Sequence, residues 1–196
     1  MPELIPPTAR LHAAWLEAQA EWGPGQHEDG FGLRPSDEVR SPAGFAAWLA
    51  RLASQPDPGV SVGAHRCLYR WIVEDDRVLG GMALRYGGDD YVRWAGHIGY
   101  GIRPSARRRG LGSWALGQIL GEAQAVGLDR VLLVCAADNL ASAKTIERCG
   151  GVLESIADSK FGHVRRYWIN LQRLSGFAGA SMSSRRMPPD AREARS

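Results

Sequence analysis

Gly96-His97-Ile98-Gly99-Tyr100-Gly101-Ile102-Arg103-Pro104-Ser105-Ala106-Arg107-Arg108-Arg109-Gly110-Leu111-Gly112-Ser113 is the stretch that decides the fold. Its first half, Gly96 to Arg103, is an apolar strand-like run that stops at Pro104. Two glycines inside a strand weaken it and mark a place where another backbone or a ligand comes close. The second half opens a helix-like run that continues to about Val126. The first amides of a helix lack internal acceptors and lie at the positive end of its dipole, so they bind phosphate oxygens. Glycines let the backbone bend there, and three arginines add fixed charge and forked donors suited to phosphate. These local features predict a site for a phosphorylated cofactor.

Working outward, Leu11, Ala14, Trp15 and Ala18 have helical spacing over residues 8–22. A loop rich in Gly, Pro and charge follows over 23–41. Ser41-Pro42 then reads as a cap with proline at the first helical position, ahead of an apolar face of Phe45, Trp48, Leu49 and Leu52. A second loop covers 54–63. Leu68 to Val73 and Val78 to Tyr86 flank the acidic turn Glu74-Asp75-Asp76-Arg77, which predicts a hairpin. Gly87 to Asp90 reads as another turn. Downstream, Gly127 stops the central helix, Arg130 to Cys135 is a buried strand, and Ala141 to Arg148 is a helix ended by Gly150-Gly151. Val152 to Ile156 and His163 to Leu171 form a last strand pair. The order predicts an α/β fold with a mixed sheet, in which residues 96–135 make a right-handed crossover between parallel strands.

The 196 residues suit one domain with a tail. Residues 1–63 are read as N-terminal helices and loops, 64–174 as the core, and 175–196 as a disordered tail without apolar periodicity. No run approaches the ~18 apolar residues of a membrane-spanning helix, and Met1 to Pro7 lacks signal-peptide character. A soluble, cytoplasmic protein without membrane contact is expected. Cys67, Cys135 and Cys149 form no spaced pair, so they read as buried or, for Cys149, partly open thiols outside any disulfide framework. The net charge is +3, of which residues 176–196 contribute +2. A near-neutral body with one arginine cluster points to a local anion site and away from nucleic acid. The five histidines show no metal-ligand spacing.

Arg107-x-x-Gly110-x-Gly112, after a strand and before a helix, resembles the R/Q-x-x-G-x-G/A signature of the GNAT acetyltransferase superfamily. Asn139-x-x-Ser142 after the next strand, and Glu147-Arg148-Cys149-Gly150-Gly151, resemble the second half of that pattern. The likeness covers roughly residues 64–172, and His97 to Ile169 looks like a subgroup of predicted bacterial acetyltransferases. The resemblance implies a mixed central sheet with splayed parallel strands and flanking helices. It implies acetyl-CoA as co-substrate and a small-molecule or peptide amine as acceptor, with either a monomer or a homodimer. By the same resemblance, the amides around Arg108, Arg109, Gly110, Leu111, Gly112 and Ser113 hold the diphosphate, and Arg107 caps it. Backbone groups of Tyr100, Gly101 and Ile102 pair with the pantetheine, and Asn139 and Ser142 lie beside the cofactor arm. Two positions depart from the pattern: Ile146 stands where many members carry a proton-donating tyrosine, and Gly151 where they carry Phe.

Amine attack on a thioester needs the free base, so a group or water must take a proton. His97 is the first candidate base by type and by place, with Glu74 a weaker one. With that tyrosine missing, the proton for the thiolate comes from water or from another group, of which Tyr100 is the candidate. Trp94 is read as packing, with an acceptor-pocket role as the second reading. Two competing readings stand beside acetyl transfer. One is a non-catalytic CoA-binding or regulatory module. The other is an NADP-binding oxidoreductase, because Gly110 to Ala115 also fits G-x-G-x-x-G/A. Six residues, Pro104 to Arg109, separate the strand from that first glycine, whereas a dinucleotide fold places it straight after its strand.

Overall fold

The computed structural model describes residues 1–22, 30–54, 66–87, 90–159 and 162–172. The proposed tail and most of the loop at 54–63 lie outside them. No helix among the described residues is long and apolar enough to cross a membrane.

The hairpin forms as its sequence predicts. Strand β2 (Arg66–Glu74) and β3 (Arg77–Tyr86) pair antiparallel around Asp75 and Asp76. Both turn residues have positive φ, 50° and 58°, as a two-residue turn with the twist of the flanking strands requires. On one side β3 pairs antiparallel with β4 (Ile98–Ile102). On the other, β2 receives a strand the sequence pattern does not announce, β1 (Glu3–Ile5). It is three residues long, too short for a period, and ends at Pro6-Pro7.

Past β4, helix α4 (Leu111–Ala125) leads to a second antiparallel sheet of β5 (Arg130–Ala136), β7 (Gly162–Asn170) and β6 (Val152–Ser159), in the order β5-β7-β6. Helix α5 (Leu140–Arg148) lies between β5 and β6. The expected parallel ladder between β4 and β5 is not formed. Among the described residues the backbones of the two sheets are joined where Gly96 and His97 meet Leu132 and Leu133, through a His97 N–H to Leu132 carbonyl bond of 2.7 Å. Beyond that junction β4 pairs with β3 and β5 with β7, so a gap separates them. Every ladder among the described residues is antiparallel, unlike a parallel dinucleotide-binding sheet.

Two cores hold the halves in place. Ile72, Met82, Leu84 and Ile98 pack with Leu116, Ile119 and Tyr167 under α4 and α5. The opposite face, with Trp71 and Val78, packs on α1 (His12–Trp22) and α2 (Pro42–Ala53) through Trp15, Trp48 and Phe45. Ser41 caps α2 by accepting from the Gly44 amide at 3.1 Å, as its sequence predicts. Between β3 and β4 the chain read as a turn continues into a short helix, α3 (Asp90–Ala95). Cys135 is buried, whereas Cys67 and Cys149 are half-buried, so Cys67 is more open than its apolar neighbours suggest.

Candidate active site

The segment after β4 is built in stages. Arg103 donates its backbone N–H to Leu79, so odd-numbered residues of β4 turn their backbone toward β3. By strand alternation, Tyr100 and Ile102 present theirs to the gap. Gly101, expected to pair with the pantetheine, instead turns its backbone to the β3 ladder opposite Gly81. A single 3-10 turn, Pro104–Ala106, follows. Arg108 has a φ of 62° and Gly110 one of 78°, a bend that ends at the first residue of α4.

No side chain caps α4. Its first internal bond runs from the Trp114 amide to the Gly110 carbonyl at 3.0 Å, so the amides of Leu111, Gly112 and Ser113 precede it. A Cβ placed on Gly112 would meet nothing closer than Thr145 Cγ2 at 3.6 Å, an ordinary contact. The protein itself leaves that space free. The three arginines divide. Arg107 Nε donates to the Ile102 carbonyl at 3.0 Å. Arg109 pairs with Glu74, whose carboxyl it holds below the usual range. Arg108 is exposed and has no hydrogen-bond or ion-pair partner among the described residues. Glu74, the weaker candidate base, is therefore tied to the phosphate-loop side.

On the α4–α5 side of the gap, the Tyr100 hydroxyl lies 2.9 Å from Ser142 Oγ. The Ser142 amide donates to Asn139 Oδ1 at 3.1 Å, so Asn139 caps α5. Three residues chosen from sequence thus form one chain, Tyr100, Ser142 and Asn139. Burial pushes the Tyr100 hydroxyl up to about 12, with Ser142 and Thr145 opposing, so it holds its proton throughout the neutral range. Thr145, not singled out in the sequence, faces Tyr100 and Gly112. Cys135 and Cys149 border the same cluster, and burial raises both thiols.

Ile146 is 1% exposed and lies in the core. A Cβ on Gly151 would fall 2.4 Å from Ile146 Cγ2. The Ile146 carbonyl oxygen lies 2.9 Å from the same point, so backbone and side chain of residue 146 together close position 151 to anything but glycine.

His97 sits at the apex of the gap. Its Nδ1 accepts from the Leu132 amide at 2.8 Å, which places the proton of the neutral ring on Nε2. Burial lowers its pKa, with the charges of Arg130 and Arg85 adding to the effect. The lone pair a general base uses is already engaged, so the expectation of His97 as base is revised toward that of a strand clasp. A neutral buried histidine favours the folded state above the ordinary value near 6.5, and this contribution is lost as pH falls below it. His97→Asn, whose amide oxygen can still accept from Leu132, should flatten the acid side of the melting-temperature profile. It should also leave the shape of the pH–rate profile unchanged. Loss of the alkaline rate in that variant would restore the base.

The face of β7 that carries Trp168, whose ring is 6.2 Å from that of His97, also carries Arg166 and Val164. There α3 and the β6–β7 hairpin enclose a cleft of about 220 Å³ lined by Arg93, Trp94, Ala157, Asp158, Ser159, Val164 and Arg166. Trp94 is 45% exposed, so the expectation of packing gives way to a cleft wall.

Comparison with known proteins agrees with this fold. The chain superposes on a GNAT-family acetyltransferase from Streptococcus pneumoniae with a TM-score of 0.60 at 18% identity, covering 87% of this chain and 99% of that one. RimJ of Mycobacterium smegmatis, solved with a CoA disulfide, gives 0.63 at 18% identity over 90% of this chain and 89% of its own. YncA of Salmonella typhimurium, a putative acetyltransferase solved with acetyl-CoA, gives 0.57 at 16% identity over 97% and 98%. No curated protein matches by sequence. The profile of the acetyltransferase (GNAT) domain matches residues 4–152, well over half of the chain. The chain belongs to the GNAT acetyltransferase family, enzymes that transfer an acetyl group from acetyl-CoA to an amine.

Proposed function

We propose that the amides of Leu111, Gly112 and Ser113, with Arg108 beside them, hold the diphosphate of acetyl-CoA. The Tyr100 and Ile102 backbone edge takes the pantetheine arm. The carrying observation is the uncapped start of α4 next to an open gap, with room at Gly112 that no protein atom fills. Bound acetyl-CoA supplies an activated acyl carbonyl and a thiol leaving group. Tyr100 keeps its proton at neutral pH and is the donor for a departing thiolate, in place of the tyrosine that Ile146 displaces. Proton removal from the acceptor falls to water, because the His97 lone pair is taken.

Among the neighbours, SpeG of Vibrio cholerae is named a spermidine/spermine N-acetyltransferase and RimL a ribosomal L7/L12 alpha-N-protein acetyltransferase. The cleft beside α3 favours the second kind of acceptor for this chain. Its lining has two arginines, Arg93 and Arg166, the second paired with Glu154 just outside the lining, and one carboxylate, Asp158, which pairs with His163. A polycation calls for the opposite balance. A peptide α-amine followed by neutral or acidic residues matches the lining. Turnover measured on acidic and basic N-terminal peptides, with spermidine alongside, tests this directly. Preference for spermidine would overturn the acceptor reading. Tight acetyl-CoA binding without turnover on any amine would favour a CoA-responsive module.

Glu74 competes with phosphate for Arg109. Glu74→Gln should therefore tighten acetyl-CoA binding about two- to threefold at low salt, with the gain vanishing at high salt. Unchanged affinity by titration calorimetry would show that Arg109 takes no part.

A further inference from the structure

Arg103 is the last residue before the 3-10 turn and is 1% exposed. Its Nε donates to Glu21 Oε1 at 2.9 Å, its Nη2 to Glu17 Oε1 at 2.8 Å and also to Glu21, and its Nη1 to the Val78 carbonyl at 3.2 Å. A buried guanidinium needs this degree of satisfaction, since leaving one unpaired is severely destabilising. Glu21 does more than neutralise it. Its carboxylate accepts from the Ser105 amide at 3.1 Å and from the Ser105 hydroxyl at 3.0 Å.

With that bond, every amide of the turn has a partner. Ser105 goes to Glu21, Ala106 to the Arg103 carbonyl at 2.9 Å, and Arg107 to the Pro104 carbonyl at 3.3 Å. The chain is held up to Arg107, and the phosphate-facing amides come straight after. The source of the clasp is α1. Glu17 and Glu21 lie one turn apart in its C-terminal half, against the helix dipole, and no basic residue offsets them in its last turn. Their placement makes physical sense through Arg103. The other side of α1 is anchored by Trp15 and Ala18, both fully buried.

We propose that Glu21, Arg103 and Ser105 are positioning residues for the acetyl-CoA site, through which helix α1 sets the backbone that presents the phosphate loop. This rests on the reading of that loop as the acetyl-CoA site. Arg103 holds the Glu21 carboxyl down at about 2, so the clasp persists across the working pH range.

The test is acetyl-CoA titration by calorimetry and steady-state kinetics on the full chain, with Glu21→Gln, Ser105→Ala, their double variant and Glu17→Gln. Glu21→Gln should weaken acetyl-CoA binding about tenfold and Ser105→Ala about threefold. The double variant should be no weaker than Glu21→Gln alone, because both remove the same cap. The acceptor KM, and kcat at saturating acetyl-CoA, should stay within about twofold. Glu17, 60% exposed and not bound to the turn, should have little effect. A purely architectural role would lower the melting temperature and leave acetyl-CoA affinity unchanged, which would overturn the proposal. Should Glu21→Gln fail to fold, Ser105→Ala decides, since it removes a single exposed hydroxyl. If the unaltered protein bound no acetyl-CoA, the loop reading would fall and this inference with it. Normal binding in the unaltered protein and in both variants would sink the clasp alone.

Discussion

Gly112→Asp should abolish acetyl-CoA binding while leaving a folded protein. The space at this position accepts a side chain, with the nearest atoms at 3.6–3.8 Å. The lesion is therefore electrostatic, a carboxylate brought against a diphosphate at a helix start. Like charges so placed cost several kcal/mol, a loss of affinity of about a hundredfold or more. Gly112→Ala sharpens the argument because its two effects should have opposite signs. Alanine in a helix is better than glycine by about 0.5 kcal/mol, so the free protein should melt higher. Yet its methyl enters the room proposed for phosphate oxygens, so acetyl-CoA should bind more weakly. Thermal melting with and without acetyl-CoA reads both at once. Equal affinity in the alanine and aspartate variants would place the diphosphate elsewhere.

Tyr100→Phe should lower kcat about a hundredfold at saturating substrates, the low end for general acid catalysis, because a thiolate departs without much help. The KM for acetyl-CoA should move little, since the backbone edge is unchanged. The pH dependence is the diagnostic part. With the hydroxyl pushed up to about 12, the acid form persists well beyond pH 9, so the rate should show no alkaline fall in that range. An ordinary tyrosine, near 10, would already be losing its proton there. The variant also gives up the bond to Ser142, worth about 1 kcal/mol of stability. A kcat within twofold of the original enzyme would leave thiolate departure to water.

Much of this was readable from the chain because the signals were local. Asp75-Asp76 between two apolar runs, Ser41 before Pro42, Gly127 after a helix and the glycine–arginine loop each act within a few residues, and each sits where its chemistry predicts. Strand β1 and helix α3 were not readable, being three and six residues long, below any period. β1 exists because β2 has an open edge to fill. The separation into two sheets was hidden for another reason. An apolar run such as Arg130 to Cys135 shows that a strand is buried, not which neighbour it pairs with. The role of His97 turns on which atom meets Leu132, 35 residues away, and Arg103 finds Glu21 across 82 residues. The identity of Ile146 was legible, but its burial in the core against Gly151 was not, because that contact is made across the turn that ends α5.

The gap between β4 and β5 gives the molecule two strand edges in its middle. On the outside of a protein, such rows of unsatisfied peptide groups recruit foreign strands and seed aggregates. Here the His97–Leu132 contact shuts one end, and α4 and α5 roof one face. In the proposed site, what remains takes the slender pantetheine arm, whose own amides pair with those peptide groups. On the proposed reading, the opening that holds acetyl-CoA is thereby also covered against self-association.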